Sequence, residues 1–201
     1  MKLHWSPKSP YVRKVMICVS ELQLQGKIEL VRSVAAMLKP NADIMKDNPL
    51  SKIPTLVLDD GSALFDSSVI CQYLNELGHG TLFPSDGASK WQSLRWQALG
   101  DGMTDALILW RNERERELPN PILMDAFDLK VRHALAMLDT EVPSLSKSPF
   151  SIGHISLCCS LGYLDYRFDT FGWRTYAPAL SDWYAGMLQR TSIESTAPVD
   201  G

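Results

Sequence analysis

Three short stretches of this chain carry residue types that could do chemistry together. In Ser9-Pro10-Tyr11 a hydroxyl stands directly before a proline, and Val12, Val15, Met16, Val19 and Leu22 follow at helical spacing. Proline suits the first helical position, which makes Ser9 the natural N-cap. A capping hydroxyl satisfies the first turn and nothing more. The alternative is that it donates to a ligand atom. A sulfur held there would ionise more readily, because the helix amino end and the donor both favour thiolate over thiol. In Lys52-Ile53-Pro54-Thr55 the proline has no N–H, so it belongs at the mouth of a strand or on an edge. That leaves the N–H and C=O of Ile53 for a partner outside the sheet. In Asp66-Ser67-Ser68 a further helix starts, with Val69, Ile70, Tyr73, Leu74 and Leu77 as its apolar stripe and Asp66 or Ser67 as its cap. Its free N–H groups and hydroxyls make an anion site. A strand edge beside an anion site suits a small peptide-like molecule bearing a carboxylate.

The elements that would position these residues follow in order. Lys2–Trp5 and Ile28–Val31 read as strands joined by a right-handed crossover through the helix from Tyr11, which Gly26 closes near its C′ position. Residues 33–48 read as a loop plus a short helix over Ala42–Lys46. Thr55–Leu58 and Ala63–Phe65 form a hairpin around Asp59-Asp60-Gly61-Ser62, and the helix after it runs to about Gly78. The resulting β-α-β-α-β-β-α order occupies residues 1–79.

Gly78-His79-Gly80 and Phe83–Gly87 make a linker, and residues 84–201 change character to helices alone. On the long helix from Ala88 to Glu117, Trp91, Leu94, Leu99, Met103, Ala106, Leu107 and Trp110 fall toward one broad side, and Arg111 to Glu117 reads as a solvated charged face. Pro121 opens a helix with Leu123, Phe127, Val131, Ala134, Leu135 and Leu138 on one stripe. Ile155–Leu164 is apolar on every side, as in a helix buried at the middle of a bundle. Trp183, Tyr184, Met187 and Leu188 mark a last helix, and Thr191–Gly201 reads as frayed or draped over the surface.

Composition bounds the rest. With 45% hydrophobic and 21% charged residues and a net charge of −3 spread along the chain, nucleic acid is disfavoured as a partner. No run of apolar residues is long enough for a membrane span, and Met1-Lys2-Leu3 opens a strand rather than a secretory leader. Cys18, Cys71, Cys158 and Cys159 have no metal-type spacing and read as reduced, mostly buried thiols of a cytoplasmic protein; no metal site is expected. His79 has no metal-spaced partner and reads as a solvated loop residue.

Asn48-Pro49, Lys52-Ile53-Pro54-Thr55-Leu56 and Phe65-Asp66-Ser67 together resemble the glutathione S-transferase superfamily, and the resemblance covers nearly the whole chain. It implies an α/β thioredoxin-like N-terminal domain followed by an all-α helical-bundle C-terminal domain. Within the superfamily the chain is similar to a bacterial YibF-like subgroup through Leu99-Gly100-Asp101-Gly102-Met103-Thr104-Asp105-Ala106 and Gly162-Tyr163-Leu164-Asp165-Tyr166-Arg167. The resemblance implies glutathione as co-substrate, with Ser9 as the group that stabilises its thiolate in the manner of serine-type members; Ser6 competes for that role. It implies a cis Pro54, Ile53 main-chain contacts to the cysteinyl unit, Ser67 on the γ-glutamyl carboxylate and Asp66 on the amino group, where many members have the longer Glu. Lys39 or Lys52 would meet the glycyl carboxylate. The second-substrate pocket would be lined by Tyr11, Met103, Leu107, Trp110 and Arg111, although Met103, Leu107 and Trp110 read equally well as core.

Members are usually homodimers, and Asp101 and Asp105, one turn apart, would face the cleft at the two-fold axis or water. Many members also have a Ser/Thr-x-x-Asp capping box on the central helix; here Ser151-Ile152-Gly153-His154 keeps the serine and lacks the aspartate, which weakens the cap. Cysteine-type members carry out disulfide chemistry. Ser9 stands at that position here and Cys18 lies more than two turns further on, so a redox role is disfavoured. The expected function is glutathione transfer to an electrophilic, apolar small molecule. The alternative is a non-catalytic protein that keeps this scaffold to bind a ligand or another protein.

Overall fold

Leu3 and Leu56, both fully buried, face each other across neighbouring strands at the middle of a four-stranded sheet. The computed structural model, which describes residues 1–200, orders this sheet β2-β1-β3-β4, with β1 at Lys2–Trp5, β2 at Glu29–Arg32, β3 at Thr55–Val57 and β4 at Ala63–Leu64. β1 runs parallel to β2 and antiparallel to β3, and β3 runs antiparallel to β4. α1 (Pro10–Glu21) connects β1 to β2, α2 (Ala42–Met45) lies between β2 and β3, and α3 (Ser67–Leu77) follows β4. This is the element order of a thioredoxin-like domain. Val12, Val15 and Val19 of α1, with Ile70, Cys71 and Leu74 of α3, are buried, and α1 packs on α3.

The register fixes a consequence for the site. His4 pairs with Thr55 and Leu56 with Leu64, so the carboxyl end of β1, the amino end of β3 and the carboxyl end of β4 all lie at one end of the sheet. Ser9 follows the first of these, Pro54 precedes the second and Asp66 follows the third.

α1 stops earlier than the glycine suggests. Its C-cap is Leu22, Gln23 takes the left-handed conformation at φ 56°, and Gly26 falls in a separate 3-10 turn, Gln25–Lys27. The N–H of Leu24 reaches back to the carbonyl of Val19 at 2.9 Å, which seats the buried Leu24 beneath the helix end. The apolar residue after the helix, rather than the glycine, sets the stop.

The chain divides into two compact units, the first comprising Met1–Phe83 with the segment from Ser195 onward and the second Pro84–Glu194. The second unit is helical: α4 (Gly87–Arg114), α5 (Pro121–Lys147), α6 (Ile152–Arg167), α7 (Pro178–Met187) and α8 (Thr191–Glu194). Every residue of α6 from Ile152 to Leu164 is buried, as its all-round hydrophobicity predicts. Close approach of α4 and α6 depends on two glycines. A Cβ on Gly100 would stand 2.7 Å from the Ser156 backbone, and one on Gly153 would stand 2.7 Å from the carbonyl oxygen of Ser93.

Three expectations here need correction. Trp91 is 68% exposed, because the buried stripe of α4 runs through Ser93, Trp96, Gly100, Met103, Leu107 and Trp110 and Trp91 lies off it. Glu113 is buried rather than solvated: its carboxylate accepts the Asn120 N–H at 2.7 Å, pairs with Arg116 at 3.2 Å, and is held below the usual carboxylate range chiefly by that backbone donor. Thr191–Glu194 is helical with Ser192 and Ile193 buried, so the chain after Leu188 is not simply frayed; Gly201 lies outside the described residues. All four cysteines are buried, and none is in a disulfide.

Candidate glutathione site

Ser9 is the N-cap of α1 in extended backbone conformation (φ −85°, ψ 120°), with Pro10 at the first helical position. Its Oγ accepts the Val12 N–H at 3.2 Å. The side chain is half-buried, and its O–H meets no acceptor among the described residues. The capping and the chemical readings of Ser9 are therefore compatible: the oxygen's lone pair serves the helix while its proton stays available to a ligand. The Oγ of Ser6 accepts from the Lys8 N–H at 3.5 Å and from Arg32 Nη1 at 3.3 Å, so it is engaged with the loop and β2.

The Ile53–Pro54 peptide is cis, and so is Phe65–Asp66. Pro54 directly precedes β3, and neither the N–H nor the C=O of Ile53 takes a hydrogen bond among the described residues. The loop that presents Ile53 is held by Asn48, which is 1% exposed. Asn48 Nδ2 donates to the Lys52 carbonyl at 3.2 Å and to Thr55 Oγ1 at 3.0 Å, and its Oδ1 accepts the Leu50 N–H at 3.0 Å. Thr55 Oγ1 in turn donates to the Lys52 carbonyl at 2.9 Å. One buried amide thus ties both sides of the loop to the start of β3.

At α3, Asp66 rather than Ser67 is the N-cap; its Oδ1 accepts the Ser68 N–H at 2.9 Å. Ser67 is the first helical residue and is 2% exposed, whereas Asp66 is exposed. The Ser67 N–H has no acceptor among the described residues, so this helix start keeps the unsatisfied donor that an anion site needs. Lys39 and Lys52 are both exposed and make no ion pair among the described residues.

The sheet register thus gathers Ser9, Ile53, Pro54, Asp66 and Ser67 at one end of one unit. The family "Glutathione S-transferase, N-terminal domain" matches residues 8–77, the span that contains all of them. A glutathione transferase family member from Pseudomonas fluorescens Pf-5, solved with bound glutathione, is 40% identical to this chain, with 99% of each chain covered and a TM-score of 0.95.

The chain belongs to the glutathione S-transferase superfamily.

A structure of such a family member from the same organism, solved with bound S-(propanoic acid)-glutathione, is 38% identical with both chains covered completely and a TM-score of 0.90. The uncharacterised GST-like protein YibF of Escherichia coli K12 is 28% identical over 209 residues, covering 98% of both chains, which sets this superfamily member in the YibF-like subgroup.

The other residues named from the sequence are Tyr11 on α1 and four residues of α4 in the helical unit. Tyr11 is half-buried in the first turn of α1. In the helical unit, Met103 and Leu107 are buried, and Trp110 packs on Phe168 and Phe171 with ring centroids 4.9 and 5.5 Å apart. Arg111 is half-buried; its Nη1 donates to the Tyr163 hydroxyl at 3.5 Å and its Nε lies 3.3 Å from the Glu115 carboxylate. Asn48 is the site residue to which sequence reasoning gave no role, although an Asn-Pro before an X-Pro strand start carried the signal. Among the described residues, no group of three His, Cys, Asp or Glu could hold a metal ion, and no helix is long and apolar enough to cross a membrane.

Proposed function

We propose that this superfamily member is a serine-type glutathione transferase in which Ser9 holds the sulfur of glutathione as a thiolate for attack on an electrophilic carbon. One observation carries the reading: the Ser9 hydroxyl, the unpaired main chain of Ile53 and the amino end of α3 share one end of the sheet. The cysteinyl unit pairs with the N–H and C=O of Ile53 as an added strand would. The γ-glutamyl carboxylate takes the Ser67 hydroxyl and N–H, and Asp66 receives the ammonium. The glycyl carboxylate is met by Lys39 or Lys52. The sulfur then lies at the start of α1, where the Ser9 O–H donates to it and the helix dipole favours its negative charge. The anion is the nucleophile, so lowering the thiol's pKa toward neutrality raises the reacting fraction.

The relative that binds S-(propanoic acid)-glutathione directs the first choice of electrophile. Such an adduct forms when the thiolate adds to the β-carbon of an unsaturated acid and the α-carbon takes a proton, or when it displaces halide from a halo acid. We place the enzyme in the cytoplasm as a homodimer, which sedimentation of the purified chain checks.

Calorimetry with glutathione and a conjugation assay with an aryl halide and an unsaturated acid, on wild type and Ser9→Ala, test the proposal. Binding by both proteins with turnover only in wild type supports it. Binding with equal turnover in the two proteins removes Ser9 from the chemistry. No binding overturns the glutathione reading and favours a scaffold that acts as a binding module.

A further inference from the structure

His4 is buried on β1 with both ring nitrogens engaged. Nδ1 lies 2.8 Å from the Oγ of Ser33, just past β2, and Nε2 lies 2.8 Å from Oδ2 of Asp47, just past α2. A carboxylate only accepts, so Nε2 carries the proton of the second bond. His4 stands opposite Thr55 in the antiparallel pairing of β1 with β3, which sets the two side chains next to each other on one face of the sheet. Thr55 Oγ1 is the atom that Asn48 Nδ2 reaches at 3.0 Å. Consecutive residues, Asp47 and Asn48, are thus pegged to facing residues of two neighbouring strands. Behind the pegs, the N–H groups of Asp47 and Asn48 share the carbonyl of the buried Ile44 at 3.0 and 2.8 Å. Ahead of them, Asn48 holds the Leu50 N–H and the Lys52 carbonyl, so the place of Ile53 follows from both pegs.

We infer that His4 is a positioning residue for glutathione: its bond to Asp47 fixes the direction in which the loop from Asn48 presents the main chain of Ile53. Attachment at Asn48 alone leaves the loop free to pivot, whereas two attachments on neighbouring strands do not. A loop that is competent for only part of the time binds its ligand more weakly by that fraction, with no ligand contact removed. The inference rests on the glutathione reading above and adds a residue that never touches the tripeptide.

The test is calorimetry of glutathione on the full chain, which needs no electrophile. His4→Asn sets its amide nitrogen where Nδ1 stands and loses Asp47, whereas His4→Gln reaches the place of Nε2 and keeps it. Each removes one of the ring's two bonds, so a purely structural role would not separate them. Glutathione should bind about fivefold more weakly in His4→Asn and within about twofold of wild type in His4→Gln. Asp47→Ala, at a half-buried position that tolerates truncation, should match His4→Asn and serves should that variant not fold. The double variant should bind no more weakly than either single one. Equal losses in His4→Asn and His4→Gln, or losses that add in the double variant, would mean that the ring only fills the core, and would overturn the inference alone. Unchanged affinity in His4→Asn and Asp47→Ala would overturn it too. Wild-type protein that does not bind glutathione would overturn the glutathione reading itself, and this inference with it.

Discussion

Ser9 and Ser151 stand at the same position of two helices, one in each unit, and they are used in opposite ways. Ser9 is half-buried; its oxygen takes the Val12 N–H and its proton is left over. Ser151 has N-cap backbone geometry before α6, yet its hydroxyl makes no cap bond and is 2% exposed. It accepts from Ser93 Oγ at 2.9 Å and lies 3.0 Å from His154 Nδ1, while His154 Nε2 lies 3.1 Å from the Leu145 carbonyl. With the ring neutral and protonated at Nε2, every member is satisfied: Ser93 donates to Ser151, Ser151 donates to Nδ1, and Nε2 donates to Leu145. The same residue type at the same helical position is a closed structural link in one unit and an open donor in the other. Access, not identity, separates the two.

Three measurements would break or sharpen that contrast. The largest effect belongs to Ser9→Ala. Turnover with saturating glutathione should fall about a hundredfold, as when one donor to a reacting anion is removed, while stability drops by only about 1 kcal/mol for the lost cap. Steady-state kinetics beside a urea titration checks both halves, and a stability loss without an activity loss would reduce Ser9 to a cap. Ser151→Ala should do the reverse. It leaves the Ser93 hydroxyl and His154 Nδ1 without a partner in the core, which costs about 2 kcal/mol in denaturant unfolding with turnover unchanged.

The smallest effect is a pH dependence. Burial pushes the His154 pKa below its ordinary value; the Leu145 carbonyl partly opposes this and Arg190 adds to it. Because the folded state holds the ring neutral at pH values where the unfolded chain protonates it, the contribution is fully present above the unfolded pKa of about 6.5. It is lost as pH falls from there toward the lower folded pKa. Unfolding free energy should therefore rise with pH across the window just below 6.5, and His154→Gln should flatten that slope. An identical slope in the variant would show that His154 is not the group responsible.

The order of elements in the first unit was legible because each strand and helix carries its own local signal: Ser9-Pro10 opens α1, Pro54 opens β3, and Asp66 opens α3. The signals failed where a tertiary contact overrode a local one. Gly26 is the residue best suited to end α1, yet burial of Leu24 ends it sooner. Glu113 belongs to a charged run, yet the Asn120 N–H draws it inside. The same rule governs the candidate site. Ser9, Ile53 and Ser67 could be named because turn and cap chemistry is local. The bracing of the Ile53 loop by Asn48 and the reach of His4 to Asp47 join residues distant in sequence or on separate elements, and no periodicity reports such contacts.

The most direct test is to titrate the complex with glutathione and follow the ultraviolet absorbance of the thiolate against pH. Wild type should ionise the bound thiol well below the pH of about 8.5 at which a free cysteine thiol titrates, and Ser9→Ala should return most of that shift while still binding the tripeptide. Superimposable titrations for the two proteins, or a bound thiol that ionises as it does in free solution, would contradict the account.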